Sequence, residues 1–75
     1  APNGSYENAF TYFQKAAEIN DFPLHQYWLG LNFLKMGNKI EAENSFRKSI
    51  LAKGGQHNDD YFRELSQKIL DEKFD

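Results

Sequence analysis

The chain has no cysteine among its 75 residues, and only two prolines, one methionine and one tryptophan. Without cysteine there is no disulfide framework, no thiolate nucleophile and no cysteine-ligated zinc site. An excess of one charge is also missing. Nine Lys and Arg stand against eleven Asp and Glu, a net charge of −2, so the chain has no general attraction to nucleic acid or an anionic membrane surface. The longest apolar run, Tyr27 to Leu31 with Gly30 included, is five residues; spanning a bilayer takes about 20. The opening stretch APNGSYENAF has neither a basic region nor an apolar stretch and is not a signal peptide. It also lacks an initiating Met, which points to a piece of a longer chain. The absence of cysteine and of a signal peptide together favour the cytoplasm.

Catalytic patterns are equally scarce. No glycine-rich phosphate loop or nucleophile elbow occurs. His25 and His57 lie 32 residues apart with no ligand spacing and read as solvated loop residues. His57, Asp59 and Asp60 could in principle gather a metal, but the two aspartates fit the start of a helix better. Asn3-Gly4-Ser5 matches a glycosylation acceptor in form and reads more simply as a turn and helix cap. The expectation is a chain that is not an enzyme, with no catalytic residue, metal site or cofactor.

What the sequence does have is aromatic residues, 16% of the chain, in helical spacing. A domain this small buries only about 60% of its unfolded surface, so those rings must supply most of the core. Clusters of Gly, Pro, Asn and Asp at 2–5, 20–23, 36–38 and 53–59 divide the chain into four segments. Each segment repeats apolar residues at i, i+3, i+4, i+7, and none shows strand alternation. The reading is one all-α domain over 1–75, with helices at about 5–20, 24–36, 38–53 and 58–73. Ser5 would cap the first helix, Pro23 close it, Gly37 end the second, Asn38 cap the third, and Asn58 or Asp59 cap the fourth. The fourth segment turns Tyr61, Phe62, Leu65, Ile69 and Leu70 inward and Arg63, Glu64, Gln67, Lys68, Asp71 and Glu72 to solvent.

The helices repeat. A shift of 33 residues carries Gly4 to Gly37, Ala9 to Ala42, Phe13 to Phe46 and Ala16 to Ser49. A shift of 34 carries Tyr27-Trp28 and Leu31 to Tyr61-Phe62 and Leu65. Periods of this length mark stacked helix pairs. These residues resemble the tetratricopeptide repeat, whose pattern is approached by Leu29-Gly30, Phe33, Gly37, Ala42, Phe46 and Ser49, with Ala9 and Phe13 belonging to a preceding unit. The departures are Gln26 at the family's Trp position, Trp28 displaced, Ser49 for the last Ala, and Gly54 for the second Pro. The first repeat is also one residue short. The resemblance implies antiparallel hairpins stacked as a short right-handed α-solenoid: an unpaired second helix, one hairpin, and a capping helix. It implies that Gly30 lets Ala42 come close, with Phe46 filling the volume beside them, and that Glu64, the counterpart of Gly30, belongs on a terminal helix.

The same resemblance implies a protein–protein interaction scaffold whose inner helices take a partner peptide or helix, with Leu24, Tyr27, Leu31, Leu34 and Lys35 on the groove. Trp28 and Leu31 stand where clamp asparagines would be needed, so no carboxylate clamp is expected. A second reading is a homo-oligomerisation module, because no helix covers Phe10, Tyr12 or Ile19 on the first segment. A remote third is a helix–turn–helix nucleic-acid binder using Lys35, Lys39, Arg47, Lys48 and Lys53, which the glutamates at 41 and 43 and the acidic total weaken.

Overall fold

The computed structural model describes residues 2–74, with side chains from residue 8 onward. Four helices follow one another: α1 Pro2–Ile19, α2 Pro23–Lys35, α3 Lys39–Leu51 and α4 Asp59–Lys73. The chain is all-α, a helical repeat. Phe10 of α1 meets Phe33 of α2, and Phe13 meets Trp28, so as the chain rises along α1 it falls along α2. Pro23 opposite Ser49 and Gly30 opposite Phe46 make α2 and α3 antiparallel in the same way. Ser49 opposite Ser66 and Phe46 beside Phe74 do so for α3 and α4. Tyr27 beside Phe62 sets α2 and α4 parallel, in near-equivalent registers. Among the described residues α2 packs against all three other helices, whereas α1 packs against α2 alone.

The helix ends follow local chemistry. Gly37 has φ +80°, and its N–H donates to the Leu34 carbonyl at 3.0 Å while the Asn38 N–H donates to that of Phe33 at 2.9 Å. This pair of bonds satisfies the last carbonyls of α2 and needs a left-handed residue at position 37. Asn38 then caps α3, its side-chain oxygen accepting the Glu41 N–H at 3.3 Å. The helix starts differ from expectation in two places. Ser5 is no cap, because α1 already begins at Pro2, whose fixed φ suits a first helical position; the side chains of Gly4, Ser5 and Tyr6 lie outside those described. Pro23 does not close α1, which ends at Ile19; it opens α2 after an extended Phe22 at φ −109°, ψ 138°.

The core is small: Leu29, Ala42, Phe46, Ala52 and Leu70 are its buried hydrophobic residues. Half-buried Tyr27, Leu31, Phe33, Leu34, Ile50, Ile69 and Phe74 pack around Ala42, Phe46 and Leu70. The partner of Gly30 is Phe46. A Cβ built on Gly30 would lie 2.6–2.8 Å from three atoms of the Phe46 ring, so the ring lies directly on bare helix backbone. The atoms nearest a Cβ at Gly30 belong to the Phe46 ring, the residue expected to fill the volume beside Gly30 and Ala42. Between the same helices runs a buried polar line: the Ser66 hydroxyl donates to Ser49 at 2.8 Å, and Ser49 donates to the Pro23 carbonyl at 3.0 Å. Ser49 is therefore more than a substitute for alanine, since it ties α4, α3 and α2 together.

The 52–58 loop is pinned from both sides. Asp21 receives the Lys53 N–H on its carboxylate at 3.1 Å and the Gly54 N–H on its carbonyl at 2.8 Å. Asp59 accepts the Gly55 and Gln56 N–H groups at 2.6 and 3.0 Å. Asn58 occupies the cap position of α4 without capping it by its side chain, so Asp59 serves the loop before the helix. Arg63, expected in solvent, reaches back to the Ala52 and Lys53 carbonyls at 2.7 and 3.2 Å. The Gly55 N–H group first, then the Gln56 N–H and the charges of Arg63 and His57, hold the Asp59 carboxyl below its ordinary value of 3.8 against the opposing effect of burial.

Two outcomes are expected. Gly30→Ala gains about 1 kcal/mol in helix propensity but overpacks the Phe46 ring by about 1–3 kcal/mol. The melting temperature should therefore fall, and by less when Gly30→Ala is combined with Phe46→Leu. Additive losses in that double-mutant cycle would place the clash elsewhere. For Asp59, the folded pKa lies below the unfolded one, so its stabilisation is complete above 3.8 and disappears as pH falls through the folded value. Asp59→Asn should lower the urea midpoint at neutral pH and match the parent chain in acid; a gap of constant size would sever the link to ionisation.

Candidate functional site

A groove of about 510 Å³ opens between α1 and α2, lined by Ala9 and Phe13 from α1 and by Trp28, Leu31, Asn32, Leu34 and Lys35 from α2. The two walls exist because consecutive helices are held antiparallel by aromatic contacts at one edge only. Phe10 meets Phe33 edge-on with ring centroids 5.2 Å apart. Phe13 lies nearly parallel to Trp28, at 6.0 Å and 16°. Helical spacing then brings Trp28, Leu31, Leu34 and Lys35 to the groove, one or two turns apart. Asn32 is buried, and its amide donates to the Trp28 carbonyl at 2.8 Å, one turn back. Trp28 is 38% exposed and stands at the rim.

The groove is an apolar surface with few polar groups. Its lining is almost wholly apolar, with one amide and one ammonium as polar groups, the pattern of a recognition surface. Among the described residues no three His, Cys, Asp or Glu side chains gather where a metal ion could be held, and no helix is long and apolar enough to cross a membrane. A second depression of about 260 Å³ separates α1 from α3, lined by a polar mixture including Gln14, Glu18, Gln26, Glu41 and Lys48.

The residues expected at a binding surface divide. Leu31, Leu34 and Lys35 meet in the groove, and the two leucines also pack on the core. Leu24 is half-buried away from it. Tyr27 is not on its lining; its ring sits among Trp28, Phe46 and Phe62 at centroid distances of 5.4, 6.2 and 5.4 Å. Burial, reinforced by the neighbouring Tyr61 phenol, pushes the Tyr27 hydroxyl above its ordinary value, so it stays neutral. Sequence reasoning placed Ala9 and Phe13 as scaffold and missed Trp28. The signal was present: Phe13 and Trp28 are large rings on adjacent helices. His25 also differs from expectation. It lies in the first turn of α2, 8% exposed, between the Phe13 and Phe22 rings. His57 is exposed.

α2 and α3 form a hairpin joined by a glycine turn, with a glycine of one helix under a phenylalanine of the other. The family model described as Tetratricopeptide repeat matches residues 26–54. Residues 26–54 are thus similar to a tetratricopeptide repeat. The match runs from the first turn of α2 through α3 to Gly54. No curated protein and no solved structure matches the chain. Tetratricopeptide repeats serve in general as protein–protein interaction modules, and the groove lies against the first helix of this one.

Since the single tryptophan stacks on Phe13, it reports on the groove directly. Phe13→Ala should shift Trp28 emission to the red and increase its quenching by acrylamide. Far-UV circular dichroism should keep most of its helical signal, because α1 packs on α2 alone. Unchanged emission would mean that the two rings do not stack in solution.

Proposed function

We propose that this chain is a protein-interaction module that holds an apolar segment of a partner protein in the groove between α1 and α2. The observation that carries the reading is the groove itself: about 510 Å³, apolar, beside a tetratricopeptide repeat, with a half-exposed tryptophan at its rim. Trp28 combines large apolar area with a polar N–H, the profile of a residue on which binding energy concentrates. Leu31 and Leu34 form the floor and Lys35 closes one end. Tyr27 supports Trp28 from behind, so its part in binding is indirect.

Self-association is favoured by a different observation. Tyr12 and Ile19 of α1 are 63% and 78% exposed, and a second copy could cover them. Phe10 does not belong to that surface, since it is half-buried against Phe33. The nucleic-acid reading loses ground, because Arg47 already pairs with Glu43 at 2.8 Å on the same helix.

The test is selection of binding peptides from a displayed library, followed by affinity measurement against variants. Trp28→Ala should weaken selected peptides by about 2 kcal/mol, roughly thirtyfold, while Glu72→Ala leaves them unchanged. Binders insensitive to Trp28 would move the site elsewhere. Sedimentation equilibrium separates the second reading: a dimer abolished by Tyr12→Glu would make α1 the functional surface.

A further inference from the structure

The internal repeat supplies an occupied copy of the groove. Ala42, Phe46 and Ser49 of α3 are each 0% exposed, because α2 lies over them with Gly30 beneath the Phe46 ring. The equivalent residues of α1 are Ala9, Phe13 and Ala16, which are only half-buried. Ala9 and Phe13 line the groove, continuous with the interface that α1 already makes with α2. The same small–aromatic–small face therefore occurs twice, once covered by a helix and once open.

From this we propose that the groove seats an amphipathic α-helix of a partner protein, one that presents a glycine to the Phe13 ring as Gly30 does to Phe46. The inference rests on the groove being the binding site and names its occupant. The matching inner face is the one α2 uses: Tyr27, Gly30, Leu31 and Leu34, a Tyr-x-x-Gly-Leu-x-x-Leu pattern packed around Phe46. The glycine is the selective element, since a larger residue there would meet the ring. A second copy of this chain is a poor occupant. Its α4 carries Glu64 at the position equivalent to Gly30, and burying that carboxylate against Phe13 would leave a charge without a partner.

The probe is a synthetic helix of roughly 18 residues bearing Tyr-x-x-Gly-Leu-x-x-Leu, with Glu–Lys pairs elsewhere, titrated into the full chain and followed by Trp28 fluorescence. Saturable binding is expected, weakened at least tenfold when leucine replaces the peptide's glycine and abolished when a central proline breaks the helix. In Phe13→Leu protein, checked for helicity, the preference for glycine should shrink. Equal affinity for the glycine and leucine peptides, or no saturable binding of the glycine peptide, overturns the proposal. A proline-broken peptide that binds as tightly also overturns it, yet leaves the groove as a site for an extended segment. If library-selected peptides also ignore Trp28, the groove reading fails with it. A dimer that the peptide must displace would assign the groove to a second copy instead.

Discussion

The Phe46 ring resting on the bare backbone at Gly30 is the contact on which the rest of the molecule depends. A glycine in a helix interior costs about 1 kcal/mol, whereas full burial of a phenylalanine returns about 1.5–3 kcal/mol, so the exchange favours the fold. Because α3 can sit that close, α2 becomes the central helix, with α1, α3 and α4 arranged around it. Tyr27 and Phe74 then complete the aromatic cluster around the buried ring. A Cβ at position 30 would push α3 outward and loosen every one of these contacts.

With so few fully buried hydrophobic residues, apolar packing alone would leave the helices free to slide. The Ser66–Ser49–Pro23 line removes that freedom, since a shift along any helix axis would leave buried hydroxyls unpaired. At the same end of the stack, Asp21, Asp59 and Arg63 satisfy the backbone groups of the 52–58 loop. Hydrogen bonds thus set the register of a core whose main stabilisation is apolar. Away from that line, α1 and α2 part along the length from Trp28 to Lys35 to form the groove.

The two ends of the stack are chemically unlike. α4 faces outward with charge, including Glu64 at the position where α2 has its glycine. α1 faces outward with Ala9, Phe13 and Tyr12, residues that in α3 have buried counterparts at Ala42, Phe46 and Ser45. This asymmetry makes one side of α2 a finished core and leaves the other as an open apolar groove. Tyr27 and Trp28, adjacent in sequence, fall on opposite sides of that division. One supports the core; the other forms the rim of the groove.

By itself the sequence determined four helices, the Gly37–Asn38 turn, the cap on α3, and the equivalence of α1 with α3. These follow from local constraints: a left-handed residue, a capping oxygen, and a spacing that puts apolar side chains on one face. The groove proposed as the binding site was legible in part, through Leu31, Leu34 and Lys35. Only the tertiary structure decided that the Phe46 ring lies directly on Gly30, that His25 is enclosed by Phe13 and Phe22, and that Arg63 turns back to the 52–58 loop. It alone placed Trp28 with Phe13 on an open groove. Each depends on the distance between helices, and that distance is set jointly by side chains far apart in the chain, which no local pattern contains.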